Sequence, residues 1–269
     1  MFFAGKELSH KISYLKSQGK ELNLFINYPK ILEPLVQFYI SLFGIPEIGF
    51  QERFDFFQRC IKNIDGSVFI DAGCGNGAYT RFMINQYPQS RIMAFDYDKK
   101  MALLAKKLTG DRRADFFAHD LTKQNVKLIN KADIVWSLDV LEHIKDYKKA
   151  VRNLTAMVKK NGYLIIHVPL LNQHRWFSYF DHWEHETHER EGFRKKELIG
   201  LLKNFRIVKE ISTFGALGSL IWETNIVLFK ILPPLGALLF PILRMFMLAD
   251  KIFPSRKYNC FGVIAKKLR

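Results

Sequence analysis

Residues 68–77 read Val-Phe-Ile-Asp-Ala-Gly-Cys-Gly-Asn-Gly, a short apolar run followed by an acidic residue and three alternating glycines. The apolar run predicts a buried β-strand. The glycines predict a tight turn, because glycine alone adopts positive φ freely and has no Cβ to hold a ligand away from the main chain. Residues 78–87 have helical character. Strand, turn and helix together direct backbone N–H groups and a helix N-terminus at a bound ligand.

Strands and helices alternate along the chain from Ser67 onward. The predicted strands are residues 68–71, 91–96, 114–119, 133–138, 163–168, 205–213 and 259–268. The predicted helices between them are residues 78–87, 99–108, 147–160 and 194–203. This alternation indicates an α/β fold with a mostly parallel, seven-stranded sheet that carries helices on both faces. Three strands end at or next to Asp71, Asp96 and Asp139, and polar groups at such ends mark the ligand crevice of a parallel sheet.

The composition divides the chain into four expected segments. Residues 1–65 are amphipathic and interrupted by prolines, which predicts an N-terminal helical cap of several short helices. Residues 66–213 form the ligand-binding α/β domain. Residues 214–256 form an apolar helical insertion between the last two strands, and residues 257–269 supply the last strand and a basic tail.

The centre of the insertion, residues 231–243, is uncharged over thirteen positions and flanked by Lys230 and Arg244. A membrane-spanning helix needs about 20 apolar residues, and prolines interrupt this run further. We therefore expect a helical hairpin that covers the site or lies in a membrane interface. The alternative is a buried cap or a contact between two copies of the chain.

The charge of the chain is strongly positive, with 41 Lys and Arg against 26 Asp and Glu. Such a field attracts a polyanion, either nucleic acid or an anionic membrane surface. Residues 251–269 contain six basic residues and no acidic one, directly after the most apolar stretch. This pairing favours peripheral contact with an anionic membrane over nucleic acid, and a solvated basic tail is the alternative.

The cysteines bear on the compartment and on metal binding. Cys60, Cys74 and Cys260 are widely spaced, so they form neither a disulfide framework nor a zinc motif, and they favour a reducing compartment. The first residues lack the apolar core of a signal peptide. We expect a cytoplasmic protein that associates with the inner face of the membrane and holds no metal.

The glycine spacing distinguishes between nucleotide ligands. It is Gly73-x-Gly75-x-Gly77, not the G-x-G-x-x-G of dinucleotide sites, and the nearby Asp71 would repel a pyrophosphate. With these residues the chain resembles the class I S-adenosylmethionine-dependent methyltransferases, whose first motif has the form Asp-x-Gly-x-Gly-x-Gly. The "VLEH" turn at residues 140–143 resembles the branch that includes quinone-biosynthesis enzymes. The resemblance implies a Rossmann-like fold, S-adenosyl-L-methionine as cofactor and methyltransferase activity.

The resemblance also implies roles for individual residues. Asp96 is expected to accept hydrogen bonds from both ribose hydroxyls, and Asp120 from the adenine amino group. Cys74 is interpreted as a small residue in the glycine loop and not as a nucleophile. The expected cofactor-binding residues are Asp71, Gly73, Cys74, Gly75, Gly77, Asp96, Tyr97, Asp120, Leu121 and Asp139.

A histidine-rich segment follows the fifth predicted strand, where relatives place substrate contacts. His182, His185 and His188 recur every three residues, and three interpretations stay open. They could approach one another on a helix as a metal site, one could act as a general base, or they could be structural. The expected catalytic residues are His185 and His188.

The expected function is methyl transfer to an apolar or lipid-linked small molecule, such as a quinone precursor, a polyprenyl-linked sugar or a glycolipid. The apolar insertion and its basic flank favour this class of acceptor. One alternative is an RNA methyltransferase, although no basic surface interleaved with aromatic residues is recognisable. The other is a non-catalytic, membrane-bound scaffold with a vestigial domain. The oligomeric state stays open.

Overall fold

The computed structural model describes residues 29–177, 188–253 and 255–268. The helices in these residues are α1 (Glu33–Phe43), α2 (Ile48–Ile61), α3 (Ala78–Gln86), α4 (Lys99–Thr109), α5 (Tyr147–Met157), α6 (Lys195–Gly200), α7 (Ala216–Ile231) and α8 (Pro233–Ile252). The strands are β1 (Val68–Ala72), β2 (Arg91–Asp96), β3 (Ala114–Ala118), β4 (Ala132–Leu138), β5 (Val158–Pro169), β6 (Phe205–Gly215) and β7 (Tyr258–Lys267). Short 3₁₀ turns occupy Lys30–Leu32 and Leu141–His143.

The strands of the described residues form one seven-stranded sheet in the order β3-β2-β1-β4-β5-β7-β6. All neighbours pair in parallel except β7, which runs antiparallel to both β5 and β6. The predicted mostly parallel α/β sheet is thereby confirmed. Strand order reverses between β1 and β4, so their carboxyl ends border the crevice in which such sheets bind ligands.

Alternation of side chains along each strand builds a core on both faces of the sheet. In β1, Phe69 is buried beside α2 and α3, whereas Ile70 faces the opposite core that contains α5. In β4, Ile134 and Val135 divide between the two cores in the same way. A central strand of this sheet is buried on both sides, which explains why its sequence is almost uniformly apolar.

The helix predicted for residues 147–160 ends three residues early, at Met157. From Val158 the chain is extended, because Val158 pairs with Ala132 of β4 across an irregular register. Further along β5, the backbone at Gly162 lies close to β4. A Cβ at this position would lie only 2.9 Å from the carbonyl oxygen of Asp133. The charged pair at residues 159–160 is therefore the exposed start of β5 and not the last turn of a helix.

Within the predicted N-terminal helical cap, α2 packs directly on the sheet. Phe54, Phe56 and Phe57 are fully buried there. Gly262 of β7 makes room for this helix, because a Cβ at that position would lie 2.1 Å from the ring of Phe56. One helix of the predicted cap is thus an integral layer of the α/β core.

The predicted insertion forms a helical hairpin of α7 and α8 between β6 and β7. The backbone N–H of Gly215 donates to Asp250 over 2.9 Å, which fixes the end of α8 to the start of α7. The hairpin also contacts the N-terminal helices. The Tyr39 hydroxyl donates to the carbonyl of Ala237 over 2.6 Å, and the N–H of Ile48 donates to Asn225 over 3.0 Å.

The helices α1, α7 and α8, with the start of α2 and the 3₁₀ turn before α1, form one helical layer. Two stripes of exposed apolar side chains lie on this layer. The first stripe follows the spacing of one helix face and consists of Ile31, Leu35, Phe38 and Leu42. The second lies on α8 and consists of Leu238, Ile242, Met245, Phe246, Leu248 and Ile252. Among the described residues, no single helix has the length and hydropathy to cross a membrane, although the bent pair Lys30–Phe43 and Ile48–Ile61 meets that test jointly.

Candidate active site

A cavity of about 1160 Å³ lies at the carboxyl ends of β1, β2 and β4. It is bordered by the glycine loop after β1, by Asp96–Asp98 after β2, by His119–Thr122 after β3 and by Leu138–Val140 after β4. Pockets for a single drug-sized molecule measure about 300–1,000 Å³. The volume therefore lies slightly above that range and is sufficient for a nucleoside-sized molecule.

Three glycines shape the loop, each for its own reason. Gly73 has φ +88°, and a Cβ there would lie 2.3 Å from the Val140 side chain. Gly77 has φ +82° and is the N-cap residue before α3, and a Cβ there would lie 3.0 Å from Ala105. Gly75 has φ +51°, but a Cβ there would meet no described atom within 4 Å, because this glycine faces the cavity. The loop thus presents bare backbone to a ligand.

The loop backbone holds the Asp96 carboxylate in place. The N–H of Gly75 donates to Oδ2 of Asp96 over 2.9 Å, and the N–H of Asp98 donates to Oδ1 over 2.9 Å. The N–H groups of Gly73 and Cys74 both donate to the carbonyl of Phe95, each over 2.9 Å. A fixed carboxylate at the edge of the cavity has lone pairs left for a cis-diol, as the ribose of the expected cofactor requires.

Asp120 and Leu121 also line the cavity. Oδ1 of Asp120 accepts from the N–H of Thr122 over 2.9 Å and from its hydroxyl over 2.7 Å. The Thr122 hydroxyl, with its backbone N–H, holds the pKa of Asp120 below its usual range, although partial burial opposes it. Tyr97 lies at the rim and is largely exposed. Cys74 lines the loop, and burial raises the pKa of its thiol, which keeps it neutral.

The cavity does not include two of the predicted cofactor residues among its lining residues. Asp71 lies behind the glycine loop, where its Oδ2 accepts from the Thr80 hydroxyl over 2.7 Å. Gly77 lies against α4. Both support the loop from the protein side, and the other eight predicted residues border the cavity. The assignment of all ten as cofactor contacts stays a prediction.

Burial of Asp71 makes stability depend on pH. Burial raises the pKa of its carboxyl to about 7, far above the ordinary value near 3.9. Between about pH 4 and pH 7 the folded chain binds a proton that the unfolded chain lacks, so the free energy of unfolding falls as pH rises and reaches its floor above pH 7. The loss is at most about 4 kcal/mol.

We expect Asp71→Asn to flatten this decline, because asparagine keeps an acceptor for Thr80 and does not titrate. Melting temperatures of both proteins without ligand, measured from about pH 5 to 8, give the comparison. Wild type should lose stability over this range more steeply than the variant. Parallel profiles would show that Asp71 does not titrate there.

Asp139 also borders the cavity, directly after β4, with φ +52°. Its Oδ1 lies 2.5 Å from Nδ1 of His167, and its Oδ2 lies 3.3 Å from Nε of Arg53. The other nitrogen of His167, Nε2, lies 2.9 Å from the hydroxyl oxygen of Thr213. Burial alone would raise the pKa of Asp139, but His167 and Arg53 together hold it below its usual range. The result is an ionised, oriented carboxylate that can position an acceptor or take its proton.

Most of the cavity-lining residues that were not predicted from the sequence lie on helices and not at the ends of strands. Phe50 and Arg53 of α2 and Tyr79 of α3 line the cavity, and only the packing of those helices brings them there. His167 had a visible signal, because it is a polar residue within the apolar run of β5. It is fully buried, so its role is to hold Asp139.

The predicted catalytic histidines fall in or beside a segment outside the described residues. His182 and His185 lie outside them, so their roles stay predictions. His188 is described, and its ring packs on His143 with ring centroids 4.5 Å apart. His143 lines the cavity, so His188 lies just behind its border.

The sequence of residues 47–205 matches the family model described as a methyltransferase domain. A malonyl-[acyl-carrier protein] O-methyltransferase of Coxiella burnetii is 27% identical over 108 residues, which cover 40% of this chain and 43% of the relative. A ubiquinone biosynthesis O-methyltransferase of Alkalilimnicola ehrlichii is 24% identical over 115 residues, covering 42% of this chain and 46% of the relative. The chain thus spans less than half the length of each of these two relatives.

Solved structures share the fold at low sequence identity. The N-methyltransferase NodS of Bradyrhizobium japonicum, in complex with S-adenosyl-L-homocysteine, has a TM-score of 0.54 and 13% identity over 82% of this chain and 88% of that one. A phosphoethanolamine N-methyltransferase of Haemonchus contortus, in complex with S-adenosyl-L-methionine, has a TM-score of 0.61 and 15% identity over 87% of this chain and 56% of that one.

The bare backbone at Gly75 and the oriented carboxylate of Asp96 fit the cofactor of this family, S-adenosyl-L-methionine. The family match covers more than half of the chain, and the fold and the loop agree with it. The chain therefore belongs to the methyltransferase domain family, within the class I S-adenosylmethionine-dependent methyltransferases.

Proposed function

We propose that this protein transfers a methyl group from S-adenosyl-L-methionine to an apolar or lipid-linked small molecule at a membrane surface. The observation that carries the proposal is the position of α2. Phe50 and Arg53 of this helix line the cavity, while Ile48 at its start packs in an apolar cluster with Ile221 and Phe240 of the hairpin. The side of the cavity that Phe50 and Arg53 line is therefore one helix away from the exposed apolar stripes.

Methyl transfer from a sulfonium depends more on the alignment of donor and acceptor than on a strong base. The bound cofactor supplies a methyl group that is already activated on a sulfonium, so positioning and exclusion of water provide much of the rate. Asp96 and the glycine loop hold the nucleoside. Asp139, which the sequence assigned to the cofactor, instead orients the acceptor in this proposal, because His167 and Arg53 hold its carboxylate ionised at the edge of the cavity. Where the acceptor atom carries a proton, the Asp139 carboxylate can accept it, with Arg53 and His167 keeping the carboxylate in place.

The names of two relatives support the acceptor class. They refer to malonyl-[acyl-carrier protein] and to ubiquinone biosynthesis. The exposed apolar side chains support a lipid-linked acceptor more directly, since an acceptor anchored in a membrane must be reached from that surface. We infer a quinone precursor, a polyprenyl-linked sugar or a glycolipid as the acceptor.

The activity can be tested with S-adenosyl-L-methionine labelled in its methyl group and extracted cell lipids. We expect label in the organic phase and one lipid heavier by one methylene in mass spectra. Asp139→Asn should reduce the labelling, because the neutral amide neither pairs with Arg53 nor takes a proton. Label incorporated into added RNA and not into lipid would overturn the proposed class of acceptor. Calorimetry that detects no binding of S-adenosyl-L-methionine would overturn the proposed enzymatic activity.

We also propose that the exposed stripes contact the inner face of an anionic membrane. Large apolar side chains such as Ile31 (87% exposed), Leu238 (71%) and Ile252 (70%) point outward. Exposed basic residues, among them Lys30, Lys230 and Arg256, lie close to them along the chain. An amphipathic surface of this kind binds the interface through apolar burial plus attraction to anionic lipids.

The double variant Leu238→Glu with Met245→Glu should lose membrane binding. Each side chain would contribute about 1.5–3 kcal/mol on burial in lipid, so the loss should be about 100-fold or more in partitioning. Flotation with phosphatidylglycerol vesicles measures it. Val126→Glu is the control, because Val126 is similarly exposed (74%) but lies outside both stripes, on the loop after β3. Wild-type protein that stays in the bottom fraction would contradict membrane contact.

A further inference from the structure

Three potential metal ligands converge next to the cavity. Ligand atoms of Glu142, His143 and His188 all lie within 4.8 Å of one another. Glu142 and His143 belong to the 3₁₀ turn after β4, and His188 comes from the chain that follows β5. The N–H of Glu189 donates to the carbonyl of Glu142 over 2.9 Å, so a backbone hydrogen bond holds the two segments together.

The buried carboxylate of Glu142 is an independent indication of a ligand. The residue is 2% exposed, and its Oε2 has no hydrogen-bond partner among the described residues. A buried carboxylate oxygen without a partner is costly, because it has lost water and gained nothing in exchange. A cation at this position would give that oxygen a partner.

We propose that Glu142, His143 and His188 bind one divalent transition-metal ion. One carboxylate and two imidazoles form a donor set typical of zinc sites that keep a coordination position for a non-protein ligand. Imidazole nitrogen also favours Zn²⁺ and its transition-metal neighbours over Mg²⁺ and Ca²⁺. This site departs from the expectation that the chain holds no metal, which rested on the lack of a zinc-like motif in the sequence.

Small movements of the side chains would bring the three ligand atoms to the distances that a bound ion requires. Ligand atoms around tetrahedral Zn²⁺ lie roughly 3.4 Å apart when the bonds are about 2.0–2.1 Å long. Glu142 is buried and fixed, whereas His143 is exposed and His188 half-buried. Rotation of the two imidazoles can therefore supply the contraction of at most about 1.4 Å that the metal needs.

The position of the site suggests what the metal would hold. His143 lines the cavity, and Asp139 precedes Glu142 by one short turn. A metal with three protein ligands has a place for an oxygen of a molecule in the cavity. We assign that place to an oxygen of the methyl acceptor, and this last step alone rests on the proposed function.

Metal binding can be measured without methyl transfer. The full chain, freed of metal with a chelator, is titrated calorimetrically with ZnCl₂, MnCl₂ and MgCl₂ in separate experiments. We expect one Zn²⁺ per chain, bound more tightly than Mn²⁺, and Mn²⁺ more tightly than Mg²⁺. Loss of an outer partner of a metal ligand already costs about 10–100-fold in affinity, so His143→Asn and His188→Asn should each weaken Zn²⁺ binding at least about 100-fold.

The controls separate this site from surface histidines and from the cofactor site. His174→Asn removes an exposed imidazole outside the cluster and should bind Zn²⁺ as wild type does. Glu142→Gln keeps the shape of the buried side chain without its charge. Titration with S-adenosyl-L-methionine reports whether each variant is folded, and should stay unchanged in His188→Asn, because His188 is not among the residues that line the cavity. Unchanged Zn²⁺ affinity in His143→Asn and His188→Asn would overturn the metal site, and so would equal affinity of the wild-type protein for Zn²⁺ and Mg²⁺. Absence of cofactor binding by the wild-type protein would overturn only the proposed function.

Discussion

Gly73→Ala should destabilise the protein by about 2–5 kcal/mol and abolish cofactor binding. Two costs add at this position. An alanine at φ +88° pays about 1–2 kcal/mol for the left-handed conformation, and a Cβ placed 2.3 Å from the Val140 side chain costs about 1–3 kcal/mol more in overpacking. The displaced loop would also lose the paired N–H contacts to Phe95. Urea denaturation and titration with S-adenosyl-L-methionine measure the two effects.

Gly110→Ala separates the two costs. Gly110 also has positive φ, +61°, at the end of α4, but a Cβ there would meet no described atom within 4 Å. We expect this control to lose only about 1–2 kcal/mol and to bind the cofactor as wild type does. Equal destabilisation by both substitutions would show that Val140 moves aside at no cost. Tight cofactor binding by Gly73→Ala would show that the loop does not hold the cofactor.

Asp96→Ala should weaken binding of S-adenosyl-L-methionine by about 1–3 kcal/mol, which is a roughly 5- to 150-fold rise in Kd. The substitution removes the carboxylate that is expected to accept hydrogen bonds from the ribose. It would also release the N–H groups of Gly75 and Asp98, so the loop loses part of its preorganisation. For this reason we expect an effect near the upper end of the range. Isothermal titration calorimetry measures it.

Two further variants make the result specific. Asp115→Ala removes an exposed carboxylate from the neighbouring strand β3, and its Kd should match that of wild type. Asp96→Asn keeps an acceptor for Gly75 and should fall between wild type and Asp96→Ala. A Kd for Asp96→Ala equal to that of wild type would place the ribose elsewhere in the cavity.

The sheet and the glycine loop that borders the cavity could be predicted from the sequence because their signals are local. Gly73, Gly75 and Gly77 report a backbone conformation within five residues, and Asp96 follows directly from the end of an apolar strand. The alternation of strands and helices defines the sheet in the same local way. Such patterns need no knowledge of tertiary packing.

The contacts around Asp139 could not be predicted in the same way, because they are assembled from distant segments. Arg53 reaches Asp139 across 86 positions of sequence only because α2 packs on the sheet. The cluster of Glu142 and His188 likewise joins segments that follow two different strands. The end of the helix at Met157 was missed for a related reason, since pairing with β4 overrides the local helical preference of residues 158–160.

The place where the hairpin leaves the sheet bears on how this protein could have diversified. Gly215 at the end of β6 pairs with Tyr258 at the start of β7, so the chain departs and returns at adjacent points of one antiparallel ladder. A segment with neighbouring ends can be lengthened, shortened or exchanged while the sheet keeps its register. The ladder thereby lets α7 and α8 change in length or sequence without displacing β6 or β7. Under the proposed function, such changes would alter the membrane-facing surface and leave the glycine loop in place.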